Sequence, residues 1–187
     1  MDDRCLTVVD VEATCWDGPT PPGQTSEIIE IGVCVLDMQT LERVERDSIL
    51  VRPERSSVSE FCTRLTTLTA DQVAAGVDFA AACALLGTRY RAAGRPWASW
   101  GDYDRRQFER QCAATGVAYP FGDRHINVKR AFSESCDTTR RFGMDEALRL
   151  AGLPLEGTHH RGDDDAWNIA ALIIDMFQRG RWPASAG

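Results

Sequence analysis

The fold is decided by one stretch near the start, Leu6-Thr7-Val8-Val9-Asp10-Val11-Glu12-Ala13-Thr14-Cys15. It is rich in β-branched and apolar residues, which predicts a buried β-strand. Because side chains alternate between the two faces of a strand, Asp10 and Glu12 share one face while Val9 and Val11 share the other. Two adjacent carboxylates at the end of a buried strand repel each other, and a divalent cation between them removes the repulsion. Their hard oxygens favour Mg²⁺ or Mn²⁺.

An isolated Asp-x-Glu pair is more often an acidic pair on a solvated strand, because carboxylates are usually exposed. The case for a metal site therefore depends on acids elsewhere in the chain.

Length, composition and charge are those of a globular protein. The 187 residues are 43% hydrophobic and 26% charged, which predicts one domain over residues 1–180 and a short tail over 181–187. The net charge of −7 argues against long electrostatic tracking along nucleic acid, which needs many basic contacts. It is compatible with a protein that grips one strand end through bound metal.

The seven cysteines are odd in number and contain no Cys-x-x-Cys, which argues against a disulfide framework and a structural zinc site. Reduced thiols in a cytoplasm are the simplest explanation. No apolar run approaches the roughly 20 residues of a membrane span. The acidic start at Met1 leads directly into a strand, so we expect no signal peptide.

The order of predicted elements indicates the fold class. Three early strands, at about 6–15, 27–37 and 41–51, are joined by short links and predict an antiparallel meander. Short strands near 97–100 and 126–128 then alternate with helices that begin at Thr69 or span 79–91, 104–115, 144–151 and 163–179. This order predicts an α/β domain of three layers, with a mixed five-stranded sheet flanked by helices.

Three further residues supply candidates for chemistry. Asp104 lies where a strand passes into a helix, Asp165 lies in the first turn of the last helix, and His160 precedes that helix. Acids also occur at helix N-termini because they cap free N–H groups, and this is the commoner explanation for Asp163 and Asp164. Together with the acids of the first strand, however, these residues are the parts of a two-metal site. Such sites hold ions about 3.5–4 Å apart, and a neutral imidazole beside them takes a proton from the attacking water.

With these residues, the chain resembles the DEDDh-type 3′→5′ exonucleases of the RNase H-like superfamily, and among them the Eri-type and KapD-like group. The matching stretches occur in order and cover nearly the whole chain. They are Asp10-Val11-Glu12-Ala13-Thr14-Cys15, Glu27-Ile28-Ile29-Glu30-Ile31-Gly32, Phe61-Cys62-Thr63-Arg64-Leu65-Thr66, Ser99-Trp100-Gly101-Asp102-Tyr103-Asp104 with Phe108, and 160–165.

The resemblance implies a role for each catalytic residue. The metal-binding acids would be Asp10, Glu12, Asp104 and Asp165, and the general base would be His160. Asp104 is preferred to Asp102 because the family pairs an aromatic residue with this acid and places a Phe four residues later. Asp102 is then expected to cap the helix. His160 is preferred to His159 by its spacing from the last acid, so His159 is expected to be an exposed bystander. His159 with Asp164 is the next pair with that spacing.

The resemblance also implies substrate contacts, at Ala13, Thr14, Cys15, Leu68 and Tyr103. Family members often read Leu-Thr-Gly-Ile where this chain reads Leu65-Thr66-Thr67-Leu68, so the glycine is missing here. Core packing is the alternative for Leu68, at equal weight.

Basic residues near the predicted site have two interpretations. Arg105 and Arg106 follow Asp104, and Arg161 follows His160. These arginines would either contact phosphate or belong to a solvated surface. Lys129 and its neighbour Arg130 are expected to lie further away.

The sequence thus predicts a cytoplasmic, metal-dependent exonuclease with two Mg²⁺ or Mn²⁺ ions. It would release nucleoside 5′-monophosphates from the 3′ end of single-stranded nucleic acid, with RNA favoured over DNA and no attached RNA-binding domain. A DNA-directed 3′→5′ exonuclease and a non-catalytic nucleic-acid-binding module are the alternatives. The oligomeric state and the choice between the two metals stay open.

Overall fold

The computed structural model describes residues 4–182, in which strands precede and then alternate with helices. The elements are β1 (Cys5–Ala13), β2 (Ile28–Asp37), β3 (Glu42–Leu50), α1 (Glu60–Thr66), α2 (Ala70–Ala74), α3 (Phe79–Thr88), β4 (Trp97–Ser99), α4 (Tyr103–Thr115), β5 (His125–Asn127), α5 (Val128–Ser135), α6 (Met144–Ala151) and α7 (Gly162–Gln178).

The five strands form one mixed sheet in the order β3-β2-β1-β4-β5. β1 pairs antiparallel with β2, and β2 with β3, whereas β4 is parallel to both β1 and β5. The predicted meander and mixed sheet are therefore confirmed. β1 is the central strand, so the acids at its end lie in the middle of the domain.

Helices cover both faces of the sheet, and each face has its own core. Leu6 and Val8 of β1 pack with α5, α6 and α7 on one face. Val9 and Val11 pack with α3 and α4 on the other. The side chains of β1 thus alternate as predicted, and the face that carries Asp10 and Glu12 is the one covered by α7.

Two helices, α1 and α5, were not predicted from the sequence. α1 has seven residues, and its N-cap is Ser59, whose hydroxyl accepts a hydrogen bond from the Cys62 N–H. α5 begins directly after β5 with Asn127 as its N-cap. Neither stretch has an extended apolar periodicity, which is the signal that sequence reading depends on.

The boundaries of a single domain over residues 1–180 stay a prediction. Residues 1–3 and most of the predicted tail, 183–187, lie outside the described residues. Between residues 4 and 182, no helix is long and apolar enough to cross a membrane.

Candidate active site

The acids of β1 meet the first turn of α7 at the centre of the sheet. Single oxygens of Asp10, Glu12 and Asp165 all lie within 4.8 Å of one another. The fourth acid, Asp104, lies beside them at the start of α4. Its Oδ1 accepts a hydrogen bond of 3.0 Å from the Val11 N–H, at a point where β4 no longer pairs with β1. The structure therefore brings all four predicted acids together.

Without a cation, burial and mutual repulsion disfavour the ionised form of these carboxylates. Burial, followed by repulsion from Asp104, raises the pKa of Asp10 well above its usual value. Burial and the charge of Asp165 raise the pKa of Glu12 to about 9. Burial raises the pKa of Asp104 to about 6, although a hydrogen bond from the Val11 N–H opposes the shift. The donor set consists of hard carboxylate oxygens that need positive charge, so these residues fit divalent cations.

Both neighbouring histidines contact the cluster. His160 has a left-handed backbone with φ of 67°, and its N–H donates to Asp165 Oδ2 at 3.0 Å. Its Nδ1 lies 3.9 Å from Glu12 Oε1. Burial and the adjacent His159 lower the pKa of His160, which keeps the imidazole neutral near pH 7. A non-glycine residue in this conformation is strained, and such strain is concentrated at functional sites.

His159 was expected to be a bystander, and this expectation is wrong. Its Nδ1 lies 3.0 Å from Asp165 Oδ2, and its ring stacks on that of His160 with centroids 4.0 Å apart. The predicted alternative partner, Asp164, instead accepts a hydrogen bond from the Thr158 N–H and pairs with Arg46.

A glycine contact and a buried ion pair hold α7 against β2. Gly32 lies opposite Asp10 in the β1–β2 ladder, and a Cβ on it would overlap the backbone of Gly162. Next to this contact, the carboxylate of Glu30 is fully buried and accepts hydrogen bonds from the Arg161 guanidinium and the Gly162 N–H, both at 2.8 Å. The Glu-x-Gly of β2 thus fixes the position of the His160–Asp165 segment, and Arg161 is not available to bind phosphate.

The acids open into a cleft of about 380 Å³. Besides the four acids and the two histidines, the lining residues of its walls are Ala13, Cys15, Leu65, Trp100, Tyr103, Lys129, Gly143 and Met144, with Val11 between the acids of β1. Ala13, Cys15 and Tyr103 therefore lie where substrate contacts were predicted.

Two predicted substrate contacts are wrong because their side chains are buried. Leu68 is 1% exposed and packs with Ile29, Cys62 and Val73, so the core alternative holds. Thr14 is also 1% exposed, and its hydroxyl bonds Thr25 O and the Glu27 N–H rather than facing the cleft.

Leu65 is the residue that replaces Leu68 in the cleft wall. α1 ends at Thr66, and Thr67 then adopts the left-handed conformation with φ of 65° and ψ of −2°. This is the conformation that a glycine adopts most easily. The chain reverses there, so Leu65 faces the cleft and Leu68 faces the core.

Two charged residues, Asp102 and Lys129, also differ from expectation. Asp102 occupies the N-cap position of α4, but its side chain makes no capping hydrogen bond. Its carboxylate instead accepts a hydrogen bond of 3.0 Å from the Asn127 side chain. Arg105 pairs with Asp102 at 3.2 Å. Lys129 was expected further away, yet it lines the cleft. Its placement depends on the β5–α5 junction, for which the sequence has no local signal.

Known proteins share this sequence and fold. The exonuclease (RNase_T) family matches residues 7–173. Human 3′-5′ exoribonuclease 1 is 32% identical over 94% of this chain, which spans about half of that relative, 53% of its length. A Bacillus subtilis protein described as the probable 3′-5′ exonuclease KapD is 28% identical over 92% of this chain and 84% of its own.

Solved structures give the same result. The nuclease domain of 3′hExo, described as a DEDDh family member bound to rAMP, superposes with a TM-score of 0.87 at 29% identity, covering 97% of this chain and 96% of that one. A 3′-exonuclease described as recognising the 3′ end of a histone mRNA stem-loop has a TM-score of 0.84 at 29% identity, covering 95% of this chain and 65% of that one. The predicted RNase H-like α/β fold and the resemblance to DEDDh enzymes are confirmed, and family membership implies dependence on divalent metal. The chain belongs to the RNase T family of exonucleases.

Proposed function

We propose that the chain is a 3′→5′ exonuclease that removes nucleoside 5′-monophosphates from single-stranded RNA. The observation that carries this proposal is the meeting of four carboxylates and the His160 imidazole in one open cleft. Sequence relatives described as 3′-5′ exoribonucleases support RNA as the substrate.

We propose that the cluster holds two divalent ions, Mg²⁺ or Mn²⁺. The ligands would be Asp10, Glu12, Asp104 and Asp165. When bound, such ions stabilise the negative charge that develops on the phosphoryl oxygens. Three of the four ligands converge within 4.8 Å. The raised pKa of Glu12 reflects first its burial and then repulsion from neighbouring carboxylates, and bound cations would oppose both.

His160 acts as the general base. Its neutral imidazole takes a proton from the water that attacks the terminal phosphodiester. A phosphorus–oxygen bond forms to that water, and the bond to the 3′ oxygen of the preceding nucleotide breaks. The leaving 3′ oxygen takes a proton from solvent water, so the products are a nucleoside 5′-monophosphate and a strand with a new 3′-hydroxyl. The hydrogen bond from the His160 N–H to Asp165 fixes the backbone that carries the imidazole.

The terminal nucleotide lies against the wall formed by Ala13, Cys15, Leu65 and Tyr103. Leu65 is half-buried and offers an apolar surface for a base, while Tyr103 is 56% exposed at the rim. Stacking on an apolar or aromatic surface accepts any base, so we expect little sequence preference.

We also propose a cytoplasmic location. The seven cysteines are all free thiols, although several lie close enough to interact, such as Cys83 and Cys112. Thiols persist in a reducing compartment.

The test is digestion of RNA labelled at either end, with divalent metal present. The wild-type protein should release 5′-monophosphates from the 3′ end. Asp165→Asn should abolish turnover, and His160→Ala should reduce kcat by about 10²–10⁴-fold. Asp163→Asn is the matched control, because Asp163 lies in the same turn but pairs with Arg46 and does not line the cleft; it should retain activity.

Three outcomes would contradict the proposal. His160→Ala digestion at the wild-type rate would remove the general base. Metal-dependent binding of RNA without any product would favour a non-catalytic module. Matched DNA digested faster than RNA would favour the DNA-directed alternative, since recognition of the 2′-hydroxyl distinguishes the two substrates.

A further inference from the structure

Lys129 is a cation on the wall of the cleft that the mechanism above does not use. It is the second residue of α5 and lines the cleft together with Trp100, Gly143 and Met144. The side chain is half-buried. Lys129 and Asp104 line the same cleft. Burial raises the pKa of Asp104, and the positive charge of Lys129 opposes that shift.

Lys129 is also the only lysine in the sequence, which otherwise has twenty arginines. An ammonium is a compact, strongly hydrated charge with three donors, whereas a guanidinium is a planar fork suited to paired contacts. A compact ammonium is therefore suited to a site that binds a single phosphate oxygen at close range.

Three arginines that lie near the site residues in the sequence are paired with acids. Arg161 binds Glu30, Arg105 pairs with Asp102, and Arg130 lies 3.6 Å from Glu134. By contrast, the Lys129 side chain makes no hydrogen bond or ion pair with any of residues 4–182. Its charge is therefore available to a ligand, and the ligand that enters an exonuclease cleft carries phosphates.

We propose that Lys129 binds a non-bridging phosphate oxygen of the substrate strand and positions the backbone on the Asp104 side of the cleft. This inference rests on the proposed exonuclease function. The competing role would be purely electrostatic, with Lys129 partly neutralising the four acids.

The salt dependence of kcat/KM separates these roles. Each phosphate neutralised on a single strand contributes about −0.7 to the slope of log affinity against log salt. Lys129→Met should therefore flatten the slope by about 0.7 and raise KM by about 10- to 100-fold at low salt, with a smaller change in kcat. Lys129→Arg keeps the charge and should keep the slope.

Arg130→Met is the matched control. It removes a neighbouring positive charge on the same helix that is exposed and outside the cleft, so its slope should equal that of the wild type. Melting temperatures of all variants verify that the fold is retained.

The single lysine also allows a chemical test on the unaltered chain, prepared with a lysine-free tag. Among the amines of the chain, acetic anhydride modifies only Lys129 and the α-amino group, and hydroxylamine then removes acetyl groups from tyrosine and cysteine. Acetylation of Lys129 should reproduce Lys129→Met. Reductive methylation, which retains the charge, should not. Bound oligonucleotide should protect Lys129 from acetylation.

A dinucleotide locates the phosphate, because it contains only the scissile one. An effect of Lys129→Met that persists on the dinucleotide places the contact at the scissile phosphate; an effect seen only on longer strands places it at the next phosphate towards the 5′ end. Parallel salt slopes for wild type and Lys129→Met, or a change confined to the metal concentration required, would overturn the inference. Loss of the proposed function itself is recognised separately, because the wild-type protein would then release no product.

Discussion

Replacing Gly162 with alanine should slow catalysis by displacing the start of α7 from the sheet. A Cβ on this residue would lie 2.8 Å from the Gly32 nitrogen and 3.1 Å from the Asp10 carbonyl oxygen. The shorter contact is about 0.6 Å below the 3.4 Å at which ordinary contact begins, so the helix must retreat by about that distance. His160 and Asp165 move with it, away from Asp10. Because a misplacement of about 1 Å can cost about 10²-fold, we expect kcat to fall about tenfold.

The assay is single-turnover digestion of labelled RNA, with the melting temperature measured in parallel. Gly32→Ala should be more severe, at more than about 10²-fold, because its Cβ would overlap the main chain of Gly162. Gly87→Ala is the control: nothing lies within 4 Å of its Cβ in α3, so activity should be unchanged and stability should rise by about 0.5–1 kcal/mol. Wild-type kcat for both Gly162→Ala and Gly32→Ala would refute the reasoning.

Two further predictions concern stability. The pKa of Glu12 is raised to about 9 in the folded, metal-free protein from 4.5, so between these pH values the folded state retains a proton that the unfolded state has lost. Stability should therefore fall as pH rises from about 4.5 to 9, and Mg²⁺ should raise the melting temperature more at pH 8 than at pH 6. Glu12→Gln should weaken both effects, and equal metal stabilisation at the two pH values would contradict this. Thr67→Gly should increase the free energy of unfolding by about 0.5–1 kcal/mol, because it relieves a left-handed threonine. Gly116→Ala should instead lower the free energy of unfolding, because residue 116 has φ of 74°. Denaturant titrations of both variants measure these changes.

The parts of the site that could be predicted from sequence depend on local patterns. Alternation along β1 placed Asp10 and Glu12 on one face, and the helical spacing of α7 placed Asp165 in its first turn. The choice of Asp104 and His160 over their neighbours followed from the resemblance to the family, whose motif spacing they match. The positions of these residues depend on the geometry of the local strand or helix, which each segment specifies by itself.

The parts that could not be predicted depend on contacts between distant segments. Gly32 meets Gly162 across 130 residues, and nothing in either segment alone indicates the close approach. Lys129 reaches the cleft only because β5 lies beside β4. Leu65 rather than Leu68 lines the cleft because α1 ends at Thr66. This helix is too short for its apolar residues to show a helical periodicity. A resemblance identified which segments matter, but the direction of each side chain came from packing.

The most direct test of the central claim is anomalous diffraction from crystals grown with Mn²⁺ and a nucleoside 5′-monophosphate. The account predicts manganese peaks in the cleft bounded by Asp10, Glu12, Asp104 and Asp165, with the phosphate of the nucleotide beside them and the His160 imidazole facing that phosphate. Saturating manganese that leaves no peak among these carboxylates, or an imidazole directed away from the phosphate, would contradict it.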